Sequence, residues 1–473
     1  MTMKLQHYLS LFIALLISFT LNAQTTPEFW GMTSLGGEFE QGNIYKTDGN
    51  GENFNPIHHF QLNTGGKPQG SMILASNGNL FGMTLAGGTY NNGVLFELNP
   101  DTNGYMVRVN FDGEISGSTP FGTLMQASDG LIYGTTTYGS IDDGGVIFAY
   151  NPETTEFEVL WELDDITGKN PRGYLIQASD GKLYGMAELG GMNGCGTIFS
   201  YDMVNDTCED VFDFDTINGM RPYGSLTEAS DGKLYGMVTF GGVYEDGVIF
   251  KFDPETKDYT KIMDFGHPDG RFPYGSLLEV QEGIFYGLTF RGGNDDNGVL
   301  FSYDFMNDVY TKKIDFIDSL QGKNPYSTLM PATNGKLYGT ALYGGVNDQG
   351  VLFEYDYENE ILTVKFNFNG FPMGGSPMDR PVEVNGSLGT EEITCAEEYH
   401  LYPNPTDRSV TLELGENYRD VRVIIYDESG RLINQFTNFT GPEAVINIEG
   451  NNGVYFVTVI GKEEATVFKV LKE

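Results

Sequence analysis

Short apolar runs alternate with glycine-rich polar breaks along most of this chain, and the alternation returns about every 51 residues. The copy around Gly287 shows the parts. "YGSLLEV" turns through "QEG" into "IFYGLTF", the loop "RGGNDDN" leads to "GVLFSYD", and "FMND" leads to "VYTKKIDF". Strict apolar/polar alternation predicts half-buried strands, and unbroken runs such as "GVLF" or "GVIF" predict strands buried on both faces. Other copies turn through "SDGK" or "SNGN", where glycine supplies positive φ, or through "NPET" and "DPET", where proline presets a type I turn. No period of 3.6 persists. The chain therefore reads as all-β, with four strands per copy, here called a, b, c and d.

Aligned on the glycine of strand b, the copies fall at Gly31, Gly82, Gly134, Gly185, Gly236, Gly287 and Gly339, spaced by 51 or 52 residues. Periods of this size signal propellers or solenoids. The first copy lacks strand a and starts directly at "EFWGMT". The last is followed by "GGSPMDRPVEVNGSLG", an a without a partner. Pairing these two ends closes a ring and leaves only short sheet edges. The expectation is a seven-bladed β-propeller, residues 24–386, closed by its N- and C-terminal strands and followed by a small β-sandwich.

Charge narrows the partners. With 27 Lys+Arg against 65 Asp+Glu, the chain of 473 residues carries −38. Such a surface repels phosphate backbones and anionic headgroups, which argues against nucleic acid. It leaves cations, neutral sugars or basic protein patches as possible partners, so a polysaccharide or protein ligand is a candidate and calcium stays open at acidic loops. "MTMKLQHYLSLFIALLISFTLNAQ" places a lysine before an apolar stretch and a small residue at Ala23, the pattern of a secretory signal over residues 1–23. No other stretch is long and apolar enough for a transmembrane helix. Cys195, Cys208 and Cys395 make no metal-ligand spacing, and strand geometry sets Cys195 and Cys208 out of register for a bridge.

From Tyr399 the composition changes. After an acidic, small-residue linker (387–398), residues 399–473 read as about six strands of a sandwich. Their motifs are Tyr402-Pro403-Asn404-Pro405, Tyr426-Asp427 with Gly430-Arg431, Gly453-Val454-Tyr455-Phe456, and a final stretch from Lys469 to Lys472. In this order they closely resemble the type A C-terminal sorting domain of the type IX secretion system of Bacteroidetes. That resemblance implies recognition by the secretion machinery and a secreted or outer-surface protein. The repeats resemble the glycine-rich GloVer tandem repeat of secreted bacterial proteins. Their strand order is similar to kelch-type propellers, although Tyr259 or Phe157 stands where kelch copies carry Trp. Neither repeat implies one activity.

In a propeller the b–c and d–a loops emerge together on one face. The b–c loops here carry Asp142-Asp143, Glu245-Asp246, Asp295-Asp296 and Asp348. The d–a loops carry Arg172, Arg221 with Tyr223, Arg271 with Tyr274, Lys323 with Tyr326, and Phe121. Flat rings beside charged groups suit sugars, yet groups that recur in every blade are equally explained as inter-blade ion pairs and packing. Function is better sought where the repeat breaks. Glu188 stands where other copies carry Ser34, Leu85, Thr137, Thr239, Phe290 and Leu342; Arg291 and Arg172 interrupt uncharged columns. Glu188, Arg172 and Arg291, with Arg221, Tyr223, Tyr274 and Tyr326, form the candidate ligand set.

No catalytic residues can be assigned: His58, His59, His267 and His400 join no Ser/His/Asp or zinc constellation. "TDGNGENF" lacks the spaced ligands of a calcium loop and reads as a turn. No cofactor is indicated. The sequence favours a binding module, with polysaccharide as one ligand class. A hydrolase or lyase would need a second carboxylate near Glu188, with Arg291 as charge stabiliser. A scaffold without a small ligand would present a flat, uniformly repeated face.

Overall fold

The computed structural model describes residues 27–140 and 142–385 and, in the tail, residues 400–402, 406, 409–413, 419–427, 432–440, 443–448, 453–460 and 465–472. The expected leader (1–23), the expected linker (387–398), Cys395, and Pro403, Asn404, Pro405, Gly430 and Arg431 of the sorting motif lie outside the described residues. The chain divides into two compact units, at Ser387 and Leu388.

The first unit holds seven antiparallel sheets in the order a-b-c-d. In the sixth, Leu278–Gln281, Ile284–Thr289, Val299–Asp304 and Val309–Asp315 form successive hairpins. The first blade is assembled from both ends of the unit: Pro27–Thr33 pairs with Val382–Asn385, with Phe29 opposite Glu383 and Trp30 opposite Val382. The ring thus closes without a covalent link, through a strand that completes the blade missing its own.

The repeated glycine of strand b has a packing reason. Gly185 lies opposite Phe199, and Gly236 opposite Phe250. A Cβ on Gly185 would sit 2.4 Å from the Phe199 ring, and one on Gly236 2.5 Å from the Phe250 ring. The end of the aromatic ring takes the space a Cβ would fill, so the pair is one packing unit repeated around the ring. Strands b and c are buried almost throughout. The apolar clusters each combine two adjacent blades, as in Met186, Ile198 and Phe214 with Leu226, Val238 and Phe250. The closing interface is built the same way, with Tyr45 against Leu352 and Phe368, and Phe54 stacked at 4.0 Å on Phe366. Each such side chain contributes about 1.5–3 kcal/mol on burial, which no isolated blade obtains.

The d–a loops are not free, contrary to their reading as plain loops. Lys169–Pro171 and Lys323–Pro325 are short strands on the ends of Leu183–Leu189 and Leu337–Tyr343. Elsewhere single bridges such as Met220 to Phe240 and Arg271 to Arg291 make the same contact. Helix is confined, among the described residues, to the single turn Asp318–Gln321.

In the second unit His400–Tyr402, Ser409–Glu413 and Glu443–Asn447 form one sheet, and Leu432–Thr440, Arg419–Asp427, Gly453–Ile460 and Ala465–Lys472 another. Val410, Leu412 and Ile446 of the first share a core with Val423, Ile425, Tyr455 and Val457 of the second.

Candidate functional site: the axial mouth

Just before strand a, each blade brings its chain to the axis in three successive positions. The residue before the first is proline in every case, Pro68, Pro120, Pro171, Pro222, Pro273, Pro325 and Pro377. The first position forms the mouth: Gln69, Phe121, Arg172, Tyr223, Tyr274, Tyr326 and Met378. The second is glycine in five blades because the blades converge. A Cβ on Gly122, Gly173 or Gly224 would lie 2.2–2.3 Å from a carbonyl of the next blade. The third position makes a hydrogen-bonded belt. The N–H groups of Arg380, Ser71, Tyr174, Ser225 and Ser276 donate to the hydroxyls of Ser71, Thr123, Ser225, Ser276 and Thr328 in the following blades, at 2.6–3.1 Å.

At the mouth the rings touch in sequence. Tyr223 meets Tyr274 edge-on at 5.1 Å, Tyr274 stacks on Tyr326 at 4.6 Å, and Tyr326 faces Phe121 at 6.5 Å. Arg172 stands between Phe121 and Tyr223. Its guanidinium lies 5.0 Å from the Phe121 ring centre and 4.8 Å from that of Tyr223, a cation–π arrangement on both sides. Glu188 anchors it. Its carboxylate accepts Arg172 Nε at 2.6 Å and the Tyr223 hydroxyl at 3.2 Å, with Arg221 Nη1 at 3.8 Å. Burial pushes the Tyr223 phenol up to about 12, so it stays a neutral donor.

Six of the seven sequence candidates therefore meet around one mouth, through Glu188. Arg291 does not. It binds Asp296 of its own b–c loop at 3.0 Å and lies over Phe290, while Asp296 also accepts the Gly292 N–H. The other acidic loops are likewise turn-formers or ion-pair partners: Asp143 and Asp348 accept the N–H groups of Gly139 and Gly344, and Asp246 pairs with Arg271 at 2.9 Å. Asp48 in "TDGNGENF" accepts the N–H groups of Asn50 and Glu52. Among the described residues no three metal-ligating side chains converge. Cys195 and Cys208 are free thiols.

Among the contributors to the axis that escaped the sequence reading are Tyr174 and Arg380. Both occupy the hydroxyl position of the belt, and the proline column would have revealed them. The mouth and the belt line one cavity, of about 60 Å³, room for a few waters or one small charged group but not for a sugar ring. No carboxylate lines it. A glycosidase pair built on Glu188 thus has no second carboxylate there, and Glu188 itself is held by two guanidiniums and a phenol.

A seven-bladed repeat propeller joined to an export tail is the class these features define. The profile of the Gloeobacter/Verrucomicrobia repeat matches residues 18–140, 114–267 and 175–393, and the chain belongs to that family. Residues 400–473 match the secretion system C-terminal sorting domain. The protein is accordingly secreted or held at the outer surface, and its tail engages the type IX secretion machinery. Among the described residues no helix is long and apolar enough to cross a membrane. No curated protein matches the chain in sequence. Solved structures that resemble it include a putative 6-phosphogluconolactonase from Bacteroides fragilis, at 13% identity and TM-score 0.50 over 77% of this chain and 99% of that one. Another, from Bacteroides uniformis, has 10% identity and TM-score 0.51 over 76% of this chain and 100% of that one. At these identities the likeness is one of fold.

Proposed function

We propose that the propeller is a secreted glycan-binding module that holds polysaccharide on the axial mouth. It would enter the export route through a leader at residues 1–23, with the propeller (24–386) joined by the linker 387–398 to the tail (399–473). The observation that carries the binding reading is the set of contiguous aromatic side chains at the mouth, Phe121, Tyr223, Tyr274 and Tyr326, with a charge cluster at Arg172 and Glu188 beside them. Sugars stack their apolar faces on such rings and use neighbouring charged groups for their hydroxyls. The mouth is not uniformly repeated, as a bare scaffold's would be. Affinity electrophoresis of the full chain against neutral and acidic polysaccharides tests this. Tyr274→Ala and Tyr326→Ala should each weaken retardation about tenfold, consistent with the worth of an aromatic stacking contact. Absence of retardation by every polymer would overturn the reading.

A further inference from the structure

The axial cavity has the wrong charge for this protein. With 65 Asp+Glu in the chain, its lining nonetheless holds two arginines and no carboxylate. One of the two is neutralised, Arg172 by Glu188. Arg108, Arg221, Arg271 and Arg291 of the propeller likewise have carboxylate partners. Arg380 alone among the propeller's arginines has none within the described residues.

Its surroundings are donors. A serine or threonine hydroxyl that accepts one hydrogen bond still has its own proton to give. The belt hydroxyls accept N–H groups from the preceding blade, and none donates to a protein acceptor among the described residues. Tyr174 adds a phenol without a hydrogen-bond partner there. An unpaired guanidinium, hydroxyl protons without acceptors and a phenol, in a cavity too small for a sugar ring, are complementary to one carboxylate-sized anion.

We propose that this cavity takes the ring carboxylate of an acidic polysaccharide whose sugar face rests on the mouth tyrosines. The inference rests on the glycan reading of the mouth and names the class of glycan. It places the selection at short range, because a protein of −38 repels a polyanion at a distance and no carboxylate lines the cavity itself, although Asp379 is buried beside Arg380. Arg380 would supply the bidentate partner that fixes the acid group.

The test compares polygalacturonate and alginate with the same polymers capped as alkyl esters, which keep the rings and remove the charge. It uses the full chain in 0.15 M salt. The expected result is at least tenfold tighter binding of the free acids than of the esters. Arg380→Gln should abolish that preference, and Arg380→Lys should keep part of it. Equal binding of acid and ester by the parent, or an acid preference that survives in Arg380→Gln, overturns this proposal and leaves the mouth as a neutral-glycan site. If no polymer binds, the mouth reading fails and this one with it. A thermal shift with sulfate or acetate that depends on Arg380 would then mark a site for free anions only.

Discussion

Blades 4 and 6 are built on the same four strands, yet they differ where they meet the axis. Blade 6 has Tyr274, Ser276 and Phe290 where blade 4 has Arg172, Tyr174 and Glu188, and Lys312 on its outer strand where blade 4 has Asp210. The positions that are alike in both, the b-strand glycine and its facing phenylalanine, hold the sheets together. Of the differences named here, all but the outer-strand pair line the axial cavity or lie beside it. A repeat protein can thus vary its centre without disturbing its frame, because each blade needs only its two neighbours.

The frame should fail first. Gly185→Val would put side-chain atoms inside the Phe199 ring, whereas a Cβ at Gly181, on the a–b turn, has nothing within 4 Å and meets only a φ of +87°. Gly185→Val should cost about 3 kcal/mol or more, by overpacking, and Gly181→Ala about 1 kcal/mol, by backbone strain. Thermal denaturation of both variants compares them; equal midpoints would show that the aromatic lid is not what demands glycine in strand b.

The second effect separates the charge cluster from its ring of aromatics. Glu188→Ala leaves Arg172, largely buried between two rings, without its carboxylate, and should cost about 3 kcal/mol. Installing both blade 6 residues, Arg172→Tyr with Glu188→Phe, should recover most of that loss. A double-mutant cycle on unfolding midpoints reads the coupling, expected at about 2 kcal/mol. Additive single effects would mean that the pair is not a unit.

Much of this frame was legible beforehand. The missing strand a at Phe29 and the surplus one near Val382 implied closure, and strict repetition made Glu188 conspicuous. The same logic picked Arg291, which the structure sets apart from the mouth, because a long side chain at a loop finds its acid locally, at Asp296. Arg380 went unseen because the closing segment matches the other copies only through Pro377 and a few strand residues. Convergence of seven chain segments at one axis is a property of the closed ring, and spacing along one copy does not express it.

A third contrast lies on the outer strands. His58 in blade 1 takes the place of Phe212 in blade 4 and stacks on Tyr105 at 3.9 Å, as Phe212 stacks on Tyr259 at 4.0 Å. Burial, with His59 beside it, pulls the His58 imidazole down to about 4. The unfolded chain therefore binds the extra proton between about pH 6.5 and 4, and this contribution to stability is lost as pH falls through that window. His58→Phe should remove about 2 kcal/mol of the difference between pH 7 and pH 4, measured as denaturation midpoints of parent and variant. An unchanged difference would place His58 in solvent.

The smallest effect restores blade 6 chemistry to the outer strand of blade 4. In blades 5 and 6, Lys261 and Lys312 pair with Asp264 and Asp315 three residues on, each at 2.9 Å. In blade 4 the lysine position holds Asp210, and the partner is still acidic, Asp213. Burial and the neighbouring Asp213 carboxylate push Asp210 up to about 6. Here the sign is opposite to that of His58. The folded state holds the extra proton, so stability is fully present below about pH 4 and is lost as pH rises through about 6. Asp210→Lys should then stabilise the propeller by about 1 kcal/mol at pH 8, since the site is half exposed and screened, and by much less at pH 4. Asp210→Asn separates the two causes, removing the repulsion without adding the ion pair, and should recover about half of the gain. If neither variant is more stable at pH 8, the two carboxylates of blade 4 do not repel each other appreciably, and this departure from the repeat has no energetic consequence.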